Sequence, residues 1–304
     1  MVNIRRFIFF AEYLLIRIVG ACFNLLPFSL VLRLARPLGL LLFQCLGPYR
    51  RIALENLRGA FGREKSEAEI IQIAKESFVY LAEFGAGWLR LPHFARHPNR
   101  YLKINGVERI GAALEKKKGA FLFLSHGGNW EAASLIGGWL IAKPLGTAIH
   151  ALARPLRNPY LYHYVLHLRG LLGLRSISKI GAVREMFKCL NKNEIVCSLV
   201  DQRVGEGSVE VKFFGRPALT TSLPSIAALR LGTPLFFTSA HLTPDLRYVL
   251  EVEGPLPIDD TGDLERDVQT NTQKINDRIE AEIRKNPGHW LWMHNRWRIR
   301  HGVK

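Results

Sequence analysis

The chain has 304 residues, 42 Lys and Arg against 26 Asp and Glu, and a formal net charge of +16. With 48% apolar and 22% charged residues it can bury a sizeable core, as one large domain or two small ones, which excludes intrinsic disorder. Four cysteines (Cys22, Cys45, Cys189 and Cys197), with no CxxC pair and no tight His/Cys cluster, exclude a disulfide scaffold and argue against a structural zinc site.

The charge excess calls for a polyanionic partner: nucleic acid, an anionic membrane surface or phosphorylated ligands. Its distribution favours the membrane. Arg5, Arg6, Arg17, Arg33, Arg36, Arg50, Arg51, Arg58, Arg63 and Lys65 face only Glu12, Glu55 and Glu64 within residues 1–66, and many of these bases sit among Leu, Ile and Phe. Residues 7–27 are long enough to span a bilayer. Glu12 and Arg17 inside that stretch each cost about 2–3 kcal/mol near a helix centre, and about ten strongly apolar residues at roughly −0.5 kcal/mol each only offset them. In the next stretch Ser29, Arg33, Arg36 and Gln44 share one face of a helical wheel, and Pro37 is expected to kink or break that helix. Two apolar helices with narrow basic faces read best as lying in or on a membrane interface. A single span is the rival, and burial inside the protein the plainer alternative. If the segment spans, the heavier basic flank C-terminal to it places the rest of the chain in the cytoplasm. Val19-Gly20-Ala21-Cys22 loosely resembles a lipoprotein cleavage site, but Glu12 and Arg17 interrupt the apolar run that such a signal requires. The expected division is a membrane-associated helical segment, 1–48, and an α/β domain, 49–304.

Residues 66–91 have helical periodicity, with Ser66 as N-cap and Glu69 completing a capping box. Ala120–Leu124 is a short continuous apolar run typical of a buried strand, followed by a turn at 125–128 and a helix from Trp130 to Ile141. Glu194–Val200, Pro234–Ser239 and Tyr248–Val252 are further strands. The alternation predicts an α/β protein, a central sheet flanked by helices. Such sheets place ligands beyond the C-terminal ends of their strands, where His126 and Asp201 both fall.

His126 and Glu131 are five residues apart, about 140° on a regular helix, so they face each other only if the Gly127-Gly128 turn folds the carboxylate back toward the imidazole. A carboxylate on one ring nitrogen fixes the tautomer and supports the imidazolium formed on proton uptake. With no enzyme nucleophile in view, the pair suits general-base activation of a substrate hydroxyl. A structural His beside a Glu is the plainer alternative.

His126-Gly127-Gly128-Asn129-Trp130-Glu131 after an apolar strand resembles the HX4(D/E) motif of membrane-bound glycerolipid and lipid A acyltransferases. Further pieces, in order and over nearly the whole chain, resemble the bacterial lipid A biosynthesis acyltransferases. They are Arg50-Arg51 with Glu55-Asn56-Leu57, Arg154-Pro155-Leu156-Arg157-Asn158-Pro159, Asp201-Gln202, Phe213-Phe214-Gly215 with Thr220, and Pro287 with Trp290 to Trp297. The closing motif ends Arg296-Trp297-Arg298 where Arg-Phe-Lys or Arg-Trp-Lys is common, and the charge is kept. The resemblance implies a glycerolipid-acyltransferase-like fold and transfer of a fatty acyl chain from acyl carrier protein to a hydroxyl of a lipid A precursor of the Kdo–lipid IVA type, at the cytoplasmic face of the inner membrane. It implies His126 as base with Glu131 as its partner, Arg154 beside the active site, and Asp201 with Gln202 as the site's DQ motif. Arg157 and Asn158 belong to the same expected substrate-binding set. Other glycolipids and lysophospholipids remain alternative acceptors, and a non-catalytic basic protein on anionic membrane or nucleic acid is the rival class.

Acyl transfer passes through a tetrahedral oxyanion. Backbone amides of Gly127 or Gly128, or the Arg154 guanidinium, are the candidate donors. A phosphorylated acceptor suits the forks of Arg154, Arg157 and Arg184, although any of these is also an ordinary surface charge. Asp201 either orients an arginine or caps a strand end. No cofactor and no metal are expected. His163 and His167 have a zinc-compatible i,i+4 spacing but no third ligand nearby. There is no GxSxG, GxxxxGK or GxGxxG motif. The alternating aromatic and basic residues 290–300 suit interfacial anchoring better than stacking on nucleic acid, with core packing as the alternative.

Overall fold

The computed structural model of the protein describes residues 2–178, 181–205 and 207–297. Helices α1 (Val2–Leu25), α2 (Phe28–Cys45), α3 (Gly47–Phe61) and α4 (Glu67–Leu89) come first, followed by the short α5 (Leu91–Arg96) and α6 (Pro98–Tyr101). Then come β1 (Leu102–Asn105), α7 (Val107–Leu114), β2 (Ala120–Leu124), α8 (Trp130–Ile136), β3 (Ile149–Ala153), α9 (Pro159–Gly170), β4 (Arg175–Ser178), α10 (Ala182–Asn191) and β5 (Ile195–Leu199). The chain continues with β6 (Ser208–Phe213), β7 (Arg216–Thr221), α11 (Leu223–Leu231), β8 (Leu235–Leu242), β9 (Tyr248–Glu253) and α12 (Leu264–Lys285).

The expected mixed sheet is present. Seven strands run in the order β1-β9-β8-β2-β5-β3-β4, parallel throughout except where β8 meets β9, and β6 and β7 form a separate hairpin. The unbroken apolar run of β2 follows from its central place. Phe121 and Phe123 enter one core with α3, α4, α10, α11 and α12, whereas Ala120 and Leu122 enter the other with α2, α7 and α8. A strand covered on both faces has no polar alternation to show. β1, β3, β4, β6 and β7 are short and interrupted by polar residues such as Lys103, His150, Arg175 and Glu210, so no continuous apolar run marks them.

Ser66 closes the expected capping box, its amide donating to Glu69 Oε2 at 2.8 Å. Pro37 neither ends nor splits α2, which runs from Phe28 to Cys45. It lies on the exposed face, so the carbonyl it frees is not buried. On its inner side α2 presents Phe28, Val31, Ala35, Gly39 and Phe43 to α4. A Cβ on Gly39 would fall 2.4 Å from Val79 Cα, so glycine is what permits that approach.

Among the described residues, α1 and α2 are the two helices long and apolar enough to cross a membrane. α1 is docked along the protein by one face and exposes the other. Tyr13, Arg17 and Asn24, at helical spacing, face the domain: Arg17 stacks on Tyr164 of α9, and Asn24 Nδ2 donates to Leu89 O. Asn158 Nδ2 reaches Glu12 Oε2 at 2.9 Å and Phe9 O at 2.8 Å. The buried Arg90 guanidinium donates to Phe23 O in the last turn of α1 and to Leu26 O just past its end, where carbonyls run out of helical partners. Ile4, Phe7, Ile8, Leu14, Leu15, Ile18 and Leu25 are exposed on the outer face, as are Leu30, Leu34, Leu38 and Leu41 of α2.

Candidate active site

β2 and β5 are adjacent parallel strands, with Leu124 paired to Leu199, so their C-terminal ends deliver His126 and Asp201 to the same place. The Asp201 carboxylate takes both donors of His126: the ring through Nδ1 to Oδ1 at 2.7 Å, and the main-chain amide to Oδ2 at 2.7 Å. The Trp290 indole adds a third, Nε1 to Oδ2 at 2.7 Å. Asp201 is 1% exposed. Burial alone would push its carboxyl up, but the charge and hydrogen bonds of His126, with the Trp290 indole, outweigh burial and hold it below the ordinary carboxylate range.

The loop carrying His126 is pinned on several sides. Gly127 bridges to Trp290 and Gly128 to Ala240. Gly128 has φ +62°, and a Cβ there would fall 1.6 Å from Ala240 O, so no other residue fits. Tyr80, whose buried hydroxyl titrates well above its ordinary value because of that burial, donates to the carbonyls of His126 and Gly128. Asn129 caps α8 through the Ala132 amide at 2.9 Å, and its Nδ2 donates to the Tyr248 hydroxyl at 3.1 Å.

Glu131 does not fold back onto His126. In the first turn of α8 it is buried and points at α9, where the Arg169 guanidinium grips it with Nε to Oε2 at 3.0 Å and Nη2 to Oε1 at 2.6 Å. Burial opposes the charge on Arg169, but the Glu131 carboxylate more than compensates and its pKa is raised. The carboxylate expected to support the imidazole therefore holds an arginine, and the residue expected to orient an arginine or cap a strand supports the imidazole. Geometry dictates the exchange: Asp201, just past the end of the neighbouring strand, reaches Nδ1 of His126, whereas the first turn of α8 carries Glu131 toward α9.

His126, Glu131 and Arg169 line one pocket of about 810 Å³. Its deep part is walled by Leu122, Ile141, Ile149, Ala151, Leu174 and Cys197. Cys197 is partly buried there, and burial pushes its thiol up to about 12. Gly137 opens a π-helical turn, Gly137–Ala142, that continues α8 where a plain helix is expected through Ile141, and it leaves the floor open between Ile149 and Leu174. The mouth carries Arg154, Arg184, Gln202 and Arg203.

Several expected residues lie elsewhere. Arg157 is exposed and does not line the pocket. Asn158 is the N-cap of α9 and a tie to α1. The Gly127 amide donates to Ser125 Oγ at 3.2 Å and the Gly128 amide to His289 O at 3.3 Å, so both oxyanion candidates are already engaged in holding the loop. Trp290, Trp292 and Trp297 are core residues at 1%, 0% and 9% exposure, not interfacial anchors; residues 298–300 of that stretch lie outside the described residues. Arg169, Arg203 and Tyr80 carried no sequence signal beyond residue type. His163 and His167 are both exposed on α9 and belong to no group of three potential ligands among the described residues. His150, Cys189 and Glu194 do bring their donor atoms within 4.8 Å of one another, a cluster that sequence spacing concealed. Its His150 Nε2 contacts Glu194 Oε2 at 2.8 Å.

The distant motif pieces meet around this site. Asn56 Nδ2 donates to Trp292 O and His294 O, both at 2.8 Å, and Arg296 is fully buried with its fork on Leu219 O and Thr220 Oγ1. Phe214 and Gly215 make the two-residue turn between β6 and β7, with φ +50° and +69°. The family model of bacterial lipid A biosynthesis acyltransferases matches residues 4–299, which takes in each of these pieces. The chain belongs to the bacterial lipid A biosynthesis acyltransferase family. It is an acyltransferase. Among characterised relatives, the phosphatidylinositol mannoside acyltransferase of Mycobacterium tuberculosis is 30% identical over 229 residues, covering 71% of this chain and 68% of that protein. The protein of the same name from Mycolicibacterium smegmatis is 28% identical over 202 residues, covering 64% of this chain and 62% of that one. In this lipid A acyltransferase family member, His126, backed by Asp201, lines a pocket walled by apolar side chains and arginines.

Proposed function

We propose that the protein transfers a fatty acyl chain from an acyl carrier protein thioester to a hydroxyl of a phosphorylated glycolipid, a lipid A precursor being the favoured acceptor. The observation that carries this reading is His126, held by Asp201, on the wall of a large pocket lined by apolar side chains and arginines. With Nδ1 committed to Asp201, Nε2 takes the acceptor proton as the hydroxyl oxygen attacks the thioester carbon. The tetrahedral oxyanion collapses, the C–S bond breaks, and the carrier's thiolate leaves with the proton returned from the imidazolium. Arg169, fixed by Glu131, is the preorganised cation on the same pocket wall and takes the stabilising part expected of Gly127 and Gly128. The pocket volume lies within the range of small-molecule sites, and its apolar depth suits an aliphatic chain. Arg154, Arg184 and Arg203 suit the phosphates of carrier arm and acceptor. The exposed apolar faces of α1 and α2 suit an enzyme working at the inner membrane with its catalytic domain on the cytoplasmic side.

A second acceptor class, a mannosylated phosphoinositide, is favoured by the names of the mycobacterial relatives. The test incubates detergent-purified protein with acyl carrier protein thioesters or acyl-coenzyme A and, in parallel, a Kdo-bearing tetra-acyl lipid A precursor or a phosphatidylinositol mannoside, and reads product mass. A gain of one acyl group on the lipid A precursor, lost about 10²–10⁴-fold in His126→Ala, is the expected result. Gain on the mannoside alone replaces the acceptor. Gain only with acyl-coenzyme A replaces the donor.

A further inference from the structure

Between α1 and the corner where α4 turns into α5 lies a second cavity, of about 220 Å³, lined by Arg17, Gly20, Ala21, Asn24, Leu89, Pro92, His93, Arg96 and Tyr164. It is separate from the acyl-transfer pocket and shares no lining residue with it. Gly20 permits it: a Cβ there would already touch Leu89 Cδ2 at 3.3 Å.

Its polar lining is one-sided. Among the described residues no carboxylate lies within ion-pair distance of Arg17, Arg96 or the neighbouring Arg100. Burial, and then Arg90, His97, Arg96 and Arg100, all hold the His93 imidazole below its ordinary value, with no acidic group opposing them. Asn24 contributes a buried Oδ1 with no hydrogen-bond partner, while its Nδ2 is committed to Gly20 O and Leu89 O. Arg17 spends one N–H on the Tyr13 hydroxyl at 2.7 Å, but neither it nor Arg96 has a counter-anion among the described residues; two such charges beside an unpaired acceptor match a ligand that carries a negative charge and a hydroxyl or ammonium donor. A phosphodiester headgroup carries both. The volume admits such a headgroup but no polymer, and the wall formed by α1 belongs to a helix whose opposite face is the exposed Ile4, Phe7, Leu14, Leu15 and Ile18 surface.

We propose that this cavity binds the headgroup of an anionic glycerophospholipid, its phosphate on Arg17 and Arg96 and its hydroxyl or ammonium donating to Asn24 Oδ1. Seated there, the lipid fixes the angle and depth at which α1 and the catalytic domain meet the bilayer. The proposal concerns membrane seating and stands apart from the identity of the acyl acceptor.

The test floats the full-length protein on vesicles of phosphatidylglycerol mixed into phosphatidylcholine, and on phosphatidylcholine alone. Arg96→Gln is expected to weaken the phosphatidylglycerol-dependent part about fivefold, and Arg17→Gln with Arg96→Gln further, at about 1 kcal/mol per surface arginine. Binding to phosphatidylcholine and the thermal unfolding midpoint should stay unchanged. The charge-matched pair Arg230→Gln with Arg266→Gln, on α11 and α12, should behave as the native protein. An equal loss in that control pair makes the attraction diffuse and overturns the site. So does unaltered phosphatidylglycerol binding in the Arg17/Arg96 pair. Saturable binding of inorganic phosphate that is lost in Arg96→Gln, with vesicle binding unaffected, reassigns the cavity to a free anion and also overturns the proposal.

Discussion

Asp201 carries three donors on one buried carboxylate: the ring and the main chain of His126, and the Trp290 indole. Replacing it with asparagine keeps the shape but can present an N–H to Nδ1, which favours the wrong tautomer. Asp201→Asn should lower kcat by about 10²–10⁴ with a small change in KM, measured in single-turnover transfer. The same carboxylate has a signature in stability. Its pKa is depressed in the folded protein, so its contribution is complete above the unfolded-chain value, about 3.9, and is lost as pH falls through the lower folded value. The stability gap between the native protein and Asp201→Asn should therefore narrow as pH drops below about 4, read by denaturant unfolding across that range. Glu131 and Arg169 make a different test. Arg169→Met alone strands a buried carboxylate and should destabilise by about 3–5 kcal/mol, whereas adding Glu131→Gln recovers much of that. Transfer activity should not return with stability, because the cation on the pocket wall is still missing.

At the scale of elements, α8 is the hinge between legible and hidden. The motif starting at His126 and the helix after it follow from an apolar run, a glycine pair and an N-capping Asn129. The π turn at Gly137–Ala142 does not, because its cause is tertiary: a Cβ on Gly138 would lie 2.1 Å from Leu172 O, so the helix is shaped by the loop it packs against. Gly137 lines the pocket between Ile149 and Leu174. Gly137→Leu should shift donor preference toward shorter acyl chains while the rate on the shortest accepted donor is kept, measured by competition among donors of mixed length. The exchange of roles between Glu131 and Asp201 was hidden for a related reason. Spacing along one segment says which residues are near one another on that segment, but the partner of His126 comes from a strand 75 residues away. The adjacency of β2 and β5 is a property of the sheet order, which no local pattern encodes.

Across the whole molecule, the apolar N-terminal pair and the α/β class were readable from composition and periodicity, and the pairing of family motifs over long separations was not. Asn56 on α3 holds the carbonyls of Trp292 and His294, and Ser77 on α4 holds that of Trp290. Helices that follow the apolar N-terminal pair thus also brace the segment around Trp290 to His294. The outward faces of α1 and α2 make one lipid-compatible surface. Replacing Phe7, Leu14, Leu15 and Ile18 with Asn should release most of the protein from sedimented membranes, since each buried aliphatic or aromatic side chain is worth about 1.5–3 kcal/mol. Acyl transfer to a detergent-dispersed acceptor should persist.

The clamp of Trp290 on Asp201 also sets an order of events during synthesis. A chain emerges from its N-terminal side, so α1 and α2 are available to a bilayer long before residue 201 exists, and residue 201 long before residue 290. Until the last of these arrives, the Asp201 carboxylate lacks its indole donor and the loop of His126 lacks its seat on the backbone beside Trp290. On the proposed function, the N-terminal helices are therefore free to meet lipid before the His126–Asp201 pair is assembled, and the pair gains its last donor only after residue 290 has emerged.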